Sequence, residues 1–459
     1  MSRSDRAATR RPWRLQAGPA GSLPAAMALV AAAVVAASLL GASAASLLGA
    51  SAASAASSSK VVLAPVPVGA TASGVPSFYR PPDPLPAGAP GTLIRAERVT
   101  GVPGVPAGAT TWRVLYRSRS IYGADIAVSG YVIVPPGQAP KGGFPVISWA
   151  HGTTGFNDIC APSLFNNLDG QGGPYLTPDL TAYVSAGFEI AATDYQGLGT
   201  PGPHPYLLGD SEGRGVLDAA RAARYLPGSH ASHTVLVYGH SQGGQAALFA
   251  GELARSYAPA LQVLGVVAAA PATNLSLIVG QATSATYGQA ILEFSLPATL
   301  TWSETYRDLP LSDFFTAAGG RLVKTLVGTG CLPQLSAAIR ADHVTPSDVF
   351  TPGIGTDPVV KAHAKLNDPG RAMTPAPLLV VQGTADTTVP PALTDLYVQD
   401  MACPIGDTID YLHVTGATHG TVNTKAEPAI LAWMLARLAG TSAPSTCGTP
   451  GDVASYPLS

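Results

Sequence analysis

Apolar positions fall into two regimes along the chain. Over Thr111–Arg117 and Ile126–Val134 they alternate with polar ones, the pattern of strands with one face on a core. From residue 145 onward short, mainly apolar runs take over, at Pro145–Ala150, Phe188–Thr193, Thr234–Gly239, Val263–Ala269 and Pro377–Gln382, with a further strand at Thr408–Thr415. Strands covered on both faces read this way. Helical periodicity predicts helices over Pro178–Ala186, Ser211–Leu226, Gln242–Tyr257, Pro390–Met401 and Lys425–Leu438. Antiparallel-type strands followed by strand–helix alternation predict an α/β fold, with a mostly parallel central sheet and helices on both faces.

The interval 271–374 breaks that rhythm. It offers several helical patches, no evident sheet strand, and an aromatic-rich stretch from Tyr287 to Tyr306. An inserted helical cap or lid accounts for it. The core is then split into 93–270 and 375–450, followed by a tail at 451–459. Residues 53–92, rich in Pro and Gly toward their end, read as an extended lead-in. Residues 1–52 carry five early arginines, an apolar run near 25–40, and A-x-A sites within a tandem repeat of ASLLGASA at 37–44 and 45–52. That is the order of a secretory signal peptide, with an uncleaved membrane anchor as the alternative.

Composition narrows the function. Hydrophobic residues make up 46% of the 459, charged residues 12%, and the net charge is −2, so no basic surplus exists to follow a phosphate backbone. Nucleic acid is not expected as a partner, and no obligate protein partner is evident. Cys160, Cys331, Cys403 and Cys447 all follow the export segment. An even count in an oxidising compartment favours two disulfides, and spacing alone allows three connectivities.

The candidate chemistry begins at Gly239-His240-Ser241-Gln242-Gly243, a G-x-S-x-G lying between an apolar strand and a helix. A nucleophile elbow needs that setting, because small flanking residues allow the tight turn that exposes the serine. A second match, Gly209-Asp210-Ser211-Glu212-Gly213, follows a Pro/Leu loop, and Ser211 is expected only to cap a helix. Serine needs a base, and this architecture supplies its partners in the order Ser, Asp/Glu, His. His419 stands in the turn Gly416–Gly420 beyond a strand, whereas His343 and His363 fall in the insertion and His413 within a strand. Asp386 is the carboxylate in the loop Gly383–Pro390 that follows the strand before it. Ser241, Asp386 and His419 are thus the expected catalytic residues.

An oxyanion needs two backbone donors. One is expected at Gln242, the other in the loop His151–Gly155, from Thr153, Thr154 or Gly155; His151 itself reads as loop packing. In the cap, Phe294, Leu296 and Trp302 are candidates to line an acyl site. Two decoys are set aside. Gly197–Gly202 reads G-x-G-x-x-G but leads into Pro203-His204-Pro205 rather than a helix, and His230 and His233 lack a third ligand. No metal or organic cofactor is called for.

Taken together, FYRPPDPLP (78–86), HGTTG with CAPS (151–163), TDYQGLGTPGPHPYLLG (193–209), LDAARAA (217–223), GHSQGG (239–244), LNDPG (366–370), QGTADTTVP (382–390) and ATHG (417–420) resemble the secretory lipase family, the fungal lipase A type with its bacterial relatives. The resemblance spans roughly 76–450. It implies an α/β-hydrolase core with a helical cap, hydrolysis of acylglycerols and other carboxylic esters, and transient contact with a lipid interface. It also implies the pairs Cys160–Cys331 and Cys403–Cys447. The alternatives are a secreted serine peptidase on the same fold, for which no acidic anchor is identified, and a non-enzymatic lipid-binding protein, which would not need the three catalytic residues.

Overall fold

The computed structural model describes residues 61–67, 75–165, 180–328 and 330–447. The segment 1–52, expected to direct export, and the tail 451–459 lie outside the described residues.

Among the described residues ten strands form one sheet: β1 (Val61–Pro67), β2 (Leu93–Thr100), β3 (Thr110–Arg119), β4 (Asp125–Val134), β5 (Phe144–Ala150), β6 (Glu189–Thr193), β7 (Ala231–His240), β8 (Gln262–Ala269), β9 (Leu378–Gly383) and β10 (Ile409–Val414). Their spatial order is β1-β2-β3-β4-β6-β5-β7-β8-β9-β10. The pairings β2–β3, β3–β4 and β4–β6 are antiparallel, and everything from β6 to β10 is parallel. This is the α/β-hydrolase arrangement that the order of patterns predicts.

Two strands were not expected. Part of the lead-in, Val61–Pro67, runs parallel to β2 at the sheet edge. β2 itself escapes an apolar pattern because Arg95, Glu97 and Arg98 interrupt it. Glu97 is nevertheless buried, forming an ion pair with the buried Arg113 of β3. A buried charge is tolerated when its partner satisfies it, and hydropathy alone cannot see that.

The side-chain period of two decides which face each residue feeds. Val146, Ala150, Val235 and Val237 pack with α2 (Gly209–Ala223) and α3 (Gln242–Tyr257) on one face. Ile147, Trp149, Leu236 and Tyr238 pack on the other with α1 (Leu180–Ser185) and the C-terminal helix Val422–Leu438. Between β8 and β9 the chain leaves the sheet for a run of helices: α4 (Leu275–Gly280), α5 (Tyr287–Ala290), α6 (Leu292–Thr305), α7 (Leu311–Phe314), α8 (Ala317–Val327), α9 (Leu332–Ala341), α10 (Pro346–Val349) and α11 (Pro358–Leu366). These share an apolar core of their own, which reaches down to Phe156, Tyr206 and Leu208. After β9 come α12 (Pro391–Leu396), prolonged by a π-helical stretch Tyr397–Ala402, and, after β10, α13 (Val422–Leu438).

Both disulfides join the pairs implied by resemblance, Cys160–Cys331 and Cys403–Cys447. The first ties the loop after β5 to the N-terminus of α9. The second holds the segment after β10 and α13 against the end of the π-helical stretch.

Candidate active site

Ser241 is the single residue between β7 and α3, with φ 60° and ψ −119°. A non-glycine residue holds such a conformation only when its surroundings dictate it. Here its N–H donates to the Ala269 carbonyl at 2.9 Å, while its own carbonyl accepts from Ala272 N–H and Gln245 N–H, each at 3.1 Å. The flanking glycines are a steric requirement. A Cβ on Gly239 would overlap the Gly243 carbonyl, and one on Gly243 would overlap the Ala150 carbonyl at the end of β5.

Loops after β9 and β10 bring two further side chains to this turn. His419 Nε2 lies 2.9 Å from Ser241 Oγ, and its Nδ1 lies 2.7 Å from Asp386 Oδ2. Asp386 is buried, and its other oxygen accepts Thr388 N–H and Val389 N–H at 2.9 Å each. Those bonds fix the carboxylate within its own turn, so the acid closes the 386–389 loop while α12 begins later, after Pro390. The loop of His419 is also held from below. His240 donates from Nε2 to the His419 carbonyl at 3.0 Å, and burial pushes the His240 imidazole down to about 3, so it stays neutral. A hydroxyl on an imidazole whose far nitrogen is held by a buried carboxylate can deliver a nucleophile at neutral pH.

Gln242 is the first residue of α3, so its N–H has no intrahelical partner and sits beside Ser241. In the loop after β5, Thr153 is half-buried, with Oγ1 2.7 Å from the Tyr206 hydroxyl. Thr154 turns inward: its hydroxyl donates to the Cys160 carbonyl at 2.9 Å, and its carbonyl accepts Leu332 N–H at 2.9 Å. Gly155 (φ 152°) forms an isolated antiparallel bridge with Cys331, where a Cβ would collide with the disulfide. His151 is buried against the Tyr195 ring at 4.5 Å, with Nδ1 2.7 Å from the Gly152 carbonyl, and desolvation lowers it to about 4.

Above Ser241 opens an apolar cavity with a volume of about 90 Å³. Its ceiling is one face of α6 and the residue before it: Ile291, Phe294, Ser295, Ala298, Thr299 and Trp302 recur at helical spacing. Phe294 and Trp302 therefore stand where the cap pattern put them. Leu296 does not. Two residues from Phe294, it points to the opposite side of α6 and is fully buried in the core of the helical insertion. The walls were missed: Tyr206 and Leu207 from the core, Ala272 from the start of the insertion, and Thr388 and Val389 from the Asp386 loop line the same space. Trp302 Nε1 donates to the Tyr206 carbonyl at 2.9 Å, which ties ceiling to wall.

The residues set aside lie elsewhere. Ser211 is not a cap: Leu208 holds that position, and Ser211 Oγ donates to Gln196 Oε1 at 3.0 Å from within the first turn of α2. Gly197 closes tightly on Pro203, in a turn with no helix behind it. His233 Nδ1 lies 2.8 Å from the Ala260 carbonyl. His413 and His363 face Asp395 and Asp308 respectively, away from Ser241.

A serine on a strand–turn–helix elbow of a mostly parallel sheet, reached by a histidine and an aspartate from loops after later strands, defines an α/β-hydrolase. Candida antarctica lipase A, an α/β-hydrolase structure, superposes with a TM-score of 0.69 at 21% identity, covering 82% of this chain and 88% of that one, and so shares the fold. The secretory lipase model matches residues 178–446, and the chain belongs to that family. It is a lipase-like carboxylic ester hydrolase. Lipase A of Arthroderma benhamiae is 25% identical over 81% of each chain. A protein described as a probable inactive lipase, from Mycobacterium tuberculosis, is also 25% identical, over 79% of this chain and 82% of its own.

Proposed function

We propose that this protein is a secreted serine hydrolase that cleaves acylglycerols and related lipid esters through an acyl-enzyme on Ser241. Because one relative is described as inactive, family membership does not carry this reading. The contact of His419 with both Ser241 and Asp386, beneath an apolar cavity, does.

In the first half-reaction Ser241 Oγ attacks the ester carbonyl and its proton passes to His419 Nε2. The Asp386 carboxylate stays ionised, holding Nδ1–H and stabilising the imidazolium. The carbonyl oxygen becomes an oxyanion facing the Gln242 N–H and a donor from the loop after β5. We assign that role to Thr153, whose hydroxyl is held by Tyr206 at the cavity wall, whereas the Thr154 hydroxyl is bonded to the Cys160 carbonyl and Gly155 is paired with Cys331. His419 then protonates the departing alcohol. Water, deprotonated by the same imidazole, attacks the acyl-enzyme and releases the acid, restoring Ser241. The chemistry is complete without a metal or organic cofactor. The acyl chain lies along Phe294, Ala298 and Trp302, each buried CH₂ contributing about 0.8 kcal/mol.

Export follows the basic, apolar and A-x-A order of residues 1–52, with the two disulfides fitting an oxidising destination. Among the described residues no helix is long and apolar enough to cross a membrane.

The test is a parallel assay of wild type and Ser241→Ala on p-nitrophenyl esters, a triolein emulsion and aminoacyl-p-nitroanilides. Ester and triolein turnover by wild type, lost by several orders of magnitude in Ser241→Ala, is expected. Preference for the anilides would make the protein a peptidase. Equal ester turnover by both proteins would remove Ser241 from the reaction.

A further inference from the structure

The second G-x-S-x-G carries a residue that the proposed mechanism leaves unused. Glu212 lies in the first turn of α2, is fully buried, and points at the base of the active-site elbow. Its Oε1 accepts Gln242 Nε2 at 2.7 Å and Leu207 N–H at 2.9 Å. The second Gln242 amide hydrogen goes to His204 Nε2 at 2.9 Å, and His204 in turn donates from Nδ1 to the Gln196 carbonyl at 2.8 Å. His204 is buried and neutral, pushed down to about 3 by desolvation, so its Nε2 can accept.

Leu207 is not an ordinary neighbour. It has φ 58°, left-handed backbone that a leucine adopts only under constraint, and it lines the cavity beside Ser241. The adjacent Tyr206 holds Thr153 through its hydroxyl. One buried oxygen therefore anchors the side chain of Gln242 and the segment that positions Thr153, the residues on either side of the developing oxyanion.

We propose that Glu212 is a positioning residue that holds both arms of the oxyanion site through Gln242 and the Tyr206–Leu207 segment. The proposal rests on the ester-hydrolase reading above. Burial pushes the Glu212 carboxyl up to about 8, so it serves as a neutral acceptor near pH 7. Glutamine, of equal shape and neutral, can then take its place, and leucine, without an acceptor, cannot. An oxyanion donor acts on the transition state and not on the ground state, so misplacement of the donors falls on kcat. A residue that only capped α2 would change melting temperature and leave the split between kcat and KM alone.

The experiment measures kcat and KM on p-nitrophenyl butyrate for wild type, Ser241→Ala, Glu212→Leu, Glu212→Gln and Gln242→Ala, with thermal melts of each. Glu212→Leu is expected to lose about tenfold to a hundredfold in kcat with KM within about threefold. Glu212→Gln should recover most of that loss. Gln242→Ala keeps its N–H but loses the tether, so it should reproduce the kcat loss; it decides the matter if Glu212→Leu does not fold. If folded Glu212→Leu and Gln242→Ala both keep wild-type kcat, or if glutamine at 212 fails to rescue, Glu212 has no positioning role. If Ser241→Ala hydrolyses the ester as fast as wild type, the ester-hydrolase reading fails at Ser241, and the positioning proposal falls with it.

Discussion

A Cβ on Gly243 would overlap the carbonyl oxygen of Ala150. The first turn of α3 thus rides directly on the end of β5, and this close approach sets where Ser241 and the Gln242 N–H stand. Gly243→Ala must push α3 away from the sheet. We expect at least about a tenfold loss of kcat on p-nitrophenyl butyrate and a drop of several degrees in melting temperature, in line with overpacking costs of about 1–3 kcal/mol. Gly353→Ala, where an added Cβ meets nothing within 4 Å, is the control and should match wild type in both.

The cavity ceiling gives a prediction about chain length. Ala298→Trp and Ser295→Phe fill the space under α6 and should lower kcat/KM for a palmitate ester far more than for acetate. Leu296→Ala, on the opposite side of that helix, should cost stability by about 2–5 kcal/mol without shifting the chain-length profile. A profile assay across C2 to C16 esters, with denaturant titration of each variant, checks both. Equal losses at every length would place the acyl chain elsewhere.

The two disulfides should separate in their effects. Cys160–Cys331 closes 171 residues and Cys403–Cys447 closes 44, so chain entropy makes their removal cost at most about 5 and about 4 kcal/mol. Only the first adjoins the Thr153–Gly155 loop, which is further held by Leu332 N–H on the Thr154 carbonyl. Cys160→Ser/Cys331→Ser is therefore expected to lose kcat as well as stability, and Cys403→Ser/Cys447→Ser stability alone. Kinetics on the folded fraction of each double variant distinguish the two.

Stability should fall as pH rises through the neutral range. Burial raises the Glu189 and Glu212 carboxyls from 4.5 to about 8, despite hydrogen bonds that pull each back. Between those values the folded chain holds protons that the unfolded chain has released, so the unfolded state gains as pH increases and the effect levels off above 8. His151, His204 and His240 act in the opposite sense, but only below 6.5, where the unfolded chain binds protons that the buried imidazoles refuse. Urea titrations from pH 6.5 to 9 should show a decline that Glu189→Gln/Glu212→Gln flattens. A decline unchanged in that double variant would assign it to other groups.

Local pattern carried much of this protein. The glycines around Ser241, the apolar strands before Ser241 and Asp386, and the turn bearing His419 are short-range features, because a sharp turn or a buried strand requires particular residues in immediate succession. Chain order then named three side chains that lie within hydrogen-bond distance although 145 to 178 residues separate Ser241 from the other two. The parallel sheet with helices on both faces was legible for the same reason, since burial on both faces leaves continuous apolar runs.

What the tertiary structure alone decided depends on partners distant in sequence. β2 is hidden by charges whose burial makes sense only opposite Arg113. Leu296 and Phe294 are chemically alike, and only the docking of α6 over Ser241 turns one toward the cavity and the other into the insertion's core. Thr153 and Thr154 are identical residues, distinguished by the Tyr206 hydroxyl and by the strand-like contact with Cys331 and Leu332. Glu212 has no local signal that sets it apart, and only the packing of α2 against α3 places Gln242 on it. Sequence determined which chemistry the chain can carry, because turns and strands are built from neighbours. Which side chains hold that chemistry in place was settled by long-range packing, where contacts and solvent exclusion are properties of the fold and not of any segment.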